Sequence, residues 1–157
     1  MAGQSMTSRT GTGNQRYGSK GERLVAGVVP LSSDKTKVLL IQSSSRTSWV
    51  LPKGGWELDE DTASAAAQRE AWEEGGIICK IDKDLGMIPD IRPTNAVTKN
   101  APKASYQFFE ATVTEEKVNW PEKHKRSRAW YTFSQAAQLL AQRPELLEAL
   151  KRSSMKR

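Results

Sequence analysis

The chain has 157 residues, 37% of them hydrophobic and 27% charged, with a formal net charge of +6. That length suits one domain with a buried core, and a single cysteine excludes an intrachain disulfide framework. The longest apolar stretch, LVAGVVPL, is too short to span a bilayer, so the expectation is a monomer in a reducing compartment, cytoplasm or nucleus, with no membrane partner.

Residues 1–19 form a basic arm rich in Ser, Thr and Gly, carrying Arg9 and Arg16 and no acid. The composition faintly resembles an organellar presequence. It has too few apolar residues for an amphipathic targeting helix, so an ordered or partly ordered arm is expected rather than a cleaved one. RLVAGVVPL and KVLLIQ are β-branched runs separated by the turn-like SSDKT, and are expected as a hairpin. SWVLPKGG is a third strand, stopped by Pro52 and two glycines. From an N-cap at Asp61 or Thr62, TASAAAQREAWEE predicts a helix that ends at Gly75-Gly76.

IICKI and LGMIPDIRP follow as two strands, then a polar loop, TNAVTKNAPKA. SYQFFEATVT and SRAWYTF are the last strand candidates. Ser134 is the expected cap of QAAQLLAQR, and Pro144 opens ELLEALKR. The order β-β-β-α-β-β-β-β-α predicts an α/β fold with a mixed sheet sandwiched between helices (α/β/α). It spans residues 20–150, and residues 151–157 are expected as a frayed basic tail.

Charge is unevenly placed. Glu57 to Glu74 holds seven acids and Arg69, a local net of −6, which leaves +12 for the remainder. Such a basic remainder suits a polyanionic partner or substrate. On a helix, Glu70, Glu73 and Glu74 fall on one arc of about 100°, where like charges repel by a few tenths of a kcal/mol per pair. A solvated face would explain an isolated E-x-x-E-E. A hard divalent cation explains it better here, because Gly54 and Gly55 leave backbone free to approach a metal or a phosphate. Asp61 is expected to pair with Arg69.

The stretch from Gly55 to Ile77 resembles the Nudix box, G-x5-E-x7-R-E-U-x-E-E-x-G-U with U aliphatic. Gly55, Asp61, Arg69, Glu70, Ala71, Glu73, Glu74, Gly76 and Ile77 keep its spacing, with aspartate in place of the first glutamate. The resemblance implies the Nudix fold and a Mg²⁺- (or Mn²⁺-) dependent hydrolase of nucleoside or other organic diphosphates. It implies Glu70 and Glu74 as metal ligands, with a main-chain carbonyl of Lys53-Gly54, and Glu73 as catalytic base or further ligand. Gly55, Asp61, Arg69 and Gly76 would be structural. His124 and Cys79 are poor candidates for the chemistry: the first sits in a basic run, the second in an apolar one. Trp49, Trp72 and Trp130 are expected in the core.

QSSSRTSWVLPKGG and VNWPEKHKRSRAWYTFSQA resemble the diphosphoinositol polyphosphate phosphohydrolase branch, TSWVLPKGGWE its fungal members in particular. That branch also cleaves diadenosine polyphosphates, and some members cut inorganic polyphosphate. A ring crowded with phosphates needs basic side chains from several parts of the chain. Matching the branch favours Arg23, Ser45, Arg46, Lys103 and Arg126 as substrate contacts, with Arg9, Lys20 and Arg143 beside them. Lys99, Lys125 and Arg128 are further basic positions. The alternatives are a nucleotide-directed pyrophosphatase acting on ADP-ribose or an mRNA cap, and a non-catalytic RNA-binding module. The complete glutamate set speaks against the last, and nothing calls for an obligate nucleic-acid partner.

Overall fold

The computed structural model describes residues 4–91 and 103–157. Strand β1 (Arg23–Leu31) is central, and its residues from Val25 to Leu31 are buried without a break. A strand buried on both faces needs cover on both sides. β1 pairs antiparallel with β2 (Val38–Gln42) and β4 (Lys53–Gly55), and parallel with β6 (Ala104–Glu116). β3 (Trp49–Val50) and β7 (Arg128–Tyr131) extend the sheet from β2, and β5 (Ile77–Pro89) closes the other side on β6. One parallel pair among antiparallel ones makes the sheet mixed, as expected. Helix α1 (Ala63–Gly75) packs on β1, β4 and β5, α2 (Phe133–Leu139) on β2 and β7, and α3 (Pro144–Arg152) on β5.

α1 starts where its cap dictates. Thr62 is extended and its hydroxyl accepts from the Ala65 N–H, so the cap is Thr62 and not Asp61. Ala63, Ala66, Ala67 and Ala71 bury the helix's apolar face, their small size letting it lie close to the sheet. The helix stops at Gly76, whose φ of 65° is left-handed and whose N–H caps the carbonyls of Ala71 and Trp72. A side chain there would also strike Trp120 and Arg128.

Several expectations are corrected. SWVLPKGG is two short strands, because Pro52 breaks the run and its halves pair with different partners, β2 and β1. IICKI and LGMIPDIRP are one strand: β6 pairs along the whole of β5, and the break expected between them is absorbed by register shifts. Thr132, not Ser134, caps α2, through a reciprocal capping box with Gln135. The segment TNAVTKNAPKA and Lys99 within it lie outside the described residues, except for its last two positions.

The tail is not frayed. Met155 is 3% exposed, and the Ser154 N–H and hydroxyl donate to the Glu110 carboxylate of β6 at 2.6 and 2.7 Å. Lys35 adds an ion pair to Glu110 at 3.2 Å, and Arg152 donates to the Leu85 and Met87 carbonyls. Burying one methionine and satisfying one buried carboxylate offsets the entropy that would otherwise fray the end.

Candidate active site

Glu70, Glu73 and Glu74 are all buried, although glutamate is rarely buried without partners. Their burial follows from position: α1 turns this face toward β4 and toward the chain preceding β1. A Cβ at Gly54 would collide with the Glu70 carboxylate, so only glycine lets the strand pass that close. The Glu74 carboxylate accepts from the Lys53 N–H at 3.1 Å and faces Arg126 at 3.6 Å. Glu73 lies between Arg69, at 3.2 Å, and the Arg9 main-chain N–H, also at 3.2 Å.

Arg69 holds the arrangement together. Its guanidinium binds both oxygens of Glu60 at 2.8 and 3.0 Å, Glu70 at 2.9 Å, Glu73 at 3.2 Å and the Gly55 carbonyl at 2.8 Å. Burial alone would lower its pKa, but the Glu60 bonds and the nearby carboxylates hold it above the ordinary arginine value. Here the structure corrects the sequence. The partner of Arg69 is buried Glu60, while Asp61 is exposed. The Glu57 N–H and Trp56 indole tie Glu60 down, and the turn it makes points the next side chain outward.

The glutamates are electrostatically incomplete. Burial raises the pKa of Glu70 well above the usual carboxylate range, and Glu74 adds to it. Burial also raises Glu73 against the pull of Arg69, and Glu74 against those of Lys53 and Arg126. Lys53 is itself shifted down by burial. Among the described residues no cluster of three His, Cys, Asp or Glu converges on one cation position, since each carboxylate is turned toward a cationic or N–H partner. The donor set nonetheless fits a hard divalent ion: buried carboxylates crowd one another beside a strand whose glycine backbone passes close to the Glu70 carboxylate.

The basic candidates divide into groups. Arg46, at a left-handed φ of 60°, reaches the His124 and Lys125 carbonyls at 2.5 and 3.0 Å. Arg126 donates to Glu122 at 2.8 Å and to the Gln42 carbonyl at 3.0 Å. Arg46 and Arg126 therefore meet on one basic loop that forms a rim, with Arg126 facing Glu74. Ser45, next to Arg46, bonds Ser43 and Thr47, and Arg126 and Arg143 both lie close enough to Lys53 to help depress it. Arg143 itself precedes α3 and lies 3.7 Å from Glu145. Arg23 and Lys103 meet at the start of the β1–β6 pair, where Arg23 also reaches Gln15. Lys20 is exposed in the turn before β1. Arg9 is ion-paired with Glu57 and Asp59.

Arg128 belongs elsewhere. Its N–H groups serve the Gly75, Gly76 and Lys117 carbonyls, and its guanidinium lies 4.2 Å over Trp120. It closes the C-terminal end of α1 and has no place on the rim. Glu122 was not singled out by sequence reasoning, yet it is buried, bonded to Arg126 and Ser8, and its N–H caps the Glu73 carbonyl at 3.1 Å. Only a hint was available for it, an acid four residues before Arg126. Trp72 and Trp120 spend their indole N–H groups on the Ser5 and Glu74 carbonyls.

Comparison with known proteins agrees with this geometry. The NUDIX domain family matches residues 21–152. Nudix hydrolase 18, mitochondrial, from Arabidopsis thaliana is 36% identical over 140 residues, covering 83% of this chain and 76% of the relative. A NUDIX hydrolase from Nitrosomonas europaea superposes with a TM-score of 0.69 at 18% identity, covering 83% of this chain and 87% of that one. An Ap4A hydrolase from C. elegans does so at 0.59 and 22%, covering 82% and 93%. The expected cytoplasmic or nuclear placement is corrected, since several of the plant relatives carry mitochondrial names, which points away from it. With a buried carboxylate helix bound by one arginine to the loop before it, on a mixed sheet of matching topology, the chain belongs to the Nudix hydrolases, which cleave phosphoanhydride bonds.

Proposed function

We propose that the substrate is a densely phosphorylated small molecule, a diphosphoinositol polyphosphate or a diadenosine polyphosphate, with inorganic polyphosphate as a further one. The observation that carries this reading is the rim. Arg46 and Arg126 are anchored on carbonyls and Glu122 of one loop, and Arg126 and the Lys53 main chain both reach Glu74 of the carboxylate helix. Pre-positioned guanidiniums recognise phosphate at little entropic cost, and each charge-assisted contact contributes about 1.5–3 kcal/mol.

Glu70 and Glu74, with a main-chain carbonyl of Lys53-Gly54 and Glu73 as an optional further ligand, would hold Mg²⁺ or Mn²⁺. Such an ion, when bound, supplies charge screening of the phosphates and acidifies water. Glu73 is the base in this reading. Its raised pKa brings it toward the working range of a proton acceptor. It takes a proton from the attacking water, whose oxygen bonds to phosphorus as the bridging P–O bond breaks. The departing phosphate leaves with the electron pair.

The test is divalent-dependent hydrolysis, followed by separation of the products, of four substrates: a diphosphoinositol polyphosphate, a diadenosine polyphosphate, ADP-ribose and capped RNA. The first two should be turned over with the higher kcat/KM. Preference for ADP-ribose or capped RNA would replace this reading with a nucleotide-directed one. Glu73→Gln, which keeps the volume but cannot take the proton, should lower kcat by about 10²–10⁴ with the fold intact.

A further inference from the structure

The segment before β1 is fastened to the carboxylate site. The Trp72 indole N–H donates to the Ser5 carbonyl at 2.7 Å, and the Ser8 hydroxyl donates to Glu122 at 2.7 Å. The Arg9 main-chain N–H donates to the Glu73 carboxylate at 3.2 Å, and its guanidinium holds Glu57 and Asp59 at 2.8 and 2.7 Å. A cavity of about 380 Å³ lies between this strap and Arg69, Trp72 and Glu73. The strap's own residues bury almost nothing apolar, for Met6 is 55% exposed and Ser5, Thr7 and Arg9 are exposed too. Core packing therefore does not explain where it lies. Polar contacts do, and three of their five targets are Glu73, its helix neighbour Trp72, and Glu122, whose N–H caps the Glu73 carbonyl.

Glu73 is consequently gripped from two sides. One oxygen accepts from Arg69 Nη1, the other from the Arg9 N–H. A single donor leaves a glutamate free to swing about its side-chain torsions, whereas two donors on opposite oxygens fix the carboxylate plane. Each oxygen keeps a second lone pair for the proton it must accept. We propose that the Arg9 main-chain N–H is a positioning group for Glu73, and that the strap of residues 5–9 is part of the active site. This rests on the reading of Glu73 as the base. The Ser8–Glu122 bond ties the strap to the 117–127 loop, so that arm, loop and helix end hold one carboxylate together.

Proline supplies the test, because it lacks the N–H. Arg9→Ala removes the guanidinium and keeps the amide donor, Arg9→Pro removes both, and Thr10→Pro places a proline one residue later with the Arg9 N–H retained. With steady-state kinetics and thermal unfolding on the full chain, Arg9→Pro should show a kcat about tenfold or more below Arg9→Ala, at matching KM and Tm. Equal kcat values for these two, or an equal fall in Thr10→Pro, would overturn the proposal. Independently of activity, the Arg9 amide of the wild type without divalent ion should exchange with solvent more slowly than in Glu73→Gln. Exchange at the rate of a free peptide would also overturn it. Failure of the base reading is distinguishable: Glu73→Gln would then retain turnover, whereas an inactive Glu73→Gln with equal Arg9→Pro and Arg9→Ala sinks only the strap.

Discussion

Glu60→Gln should destabilise the protein strongly, while Asp61→Asn, one residue away at the position the family pattern assigns, should leave it nearly unchanged. Glu60 is 8% exposed and accepts both an Arg69 Nε and an Arg69 Nη2 bond, at 2.8 and 3.0 Å, and the Glu57 N–H at 3.0 Å. Breaking a buried pair by removing one charge costs about 3–5 kcal/mol when the other is left alone. Arg69 is not left alone, since Glu70, Glu73 and the Gly55 carbonyl remain. The expected loss is therefore about 2–3 kcal/mol, the scale of one strong charge-assisted interaction. For a domain of this size it corresponds to a Tm lower by about 4–12 °C. Asp61 is exposed, so its substitution should stay within about 0.5 kcal/mol. Thermal and urea unfolding of both variants, without divalent ion, measures the two effects. A larger loss in Asp61→Asn than in Glu60→Gln would refute the assignment of Glu60 as the partner of Arg69.

Glu70→Gln and Glu74→Gln should raise the Mg²⁺ concentration needed for half-maximal rate, with partial rescue at high Mg²⁺; unchanged metal dependence would exclude them as ligands. Arg126→Ala should lower kcat/KM for a diphosphoinositol polyphosphate by about ten- to a hundredfold, and less for ADP-ribose. Added salt should erode the preference, as exposed charges are screened over about 8–10 Å, and equal losses on both substrates would make Arg126 indifferent to phosphate density. Glu110→Gln should lose about 2–3 kcal/mol at neutral pH, the Ser154 and Lys35 contacts being charge-assisted. Burial would raise the Glu110 pKa, but those contacts hold it below the usual range, so its stabilisation is complete above the unfolded value, about 4.3, and fades as pH falls through the folded one. A wild-type advantage that grows toward acid would contradict this. Burial, with Asp82 beside it, pushes the Cys79 thiol up to about 12, so iodoacetamide at pH 8 should leave the native protein unmodified and label it once urea unfolds it.

Much of the site is legible in the sequence because it is local. The 3.6-residue period places Glu70, Glu73 and Glu74 on one arc, the pair Asp61-Thr62 marks the start of α1, and Gly75-Gly76 its stop; all depend on residues within about two turns of one another. The mixed sheet is also readable in outline, since β-branched runs and their breakers announce strands. What the sequence could not decide is which distant group arrives beside which. Glu60 displaces Asp61 because the turn before α1, anchored through Trp56 and Glu57, sets which neighbouring acid points inward. Arg126 and Arg128, alternate residues of one basic run, part company because β7 sends its first side chain to the end of α1 while the loop before it reaches the rim. The arm lies on Glu73 and the tail on Glu110 through contacts spanning 64 and 44 residues. A short-range pattern carries no information about such contacts, because their free energy exists only once the sheet has brought the partners together and ordering the chain is offset by burial made in common.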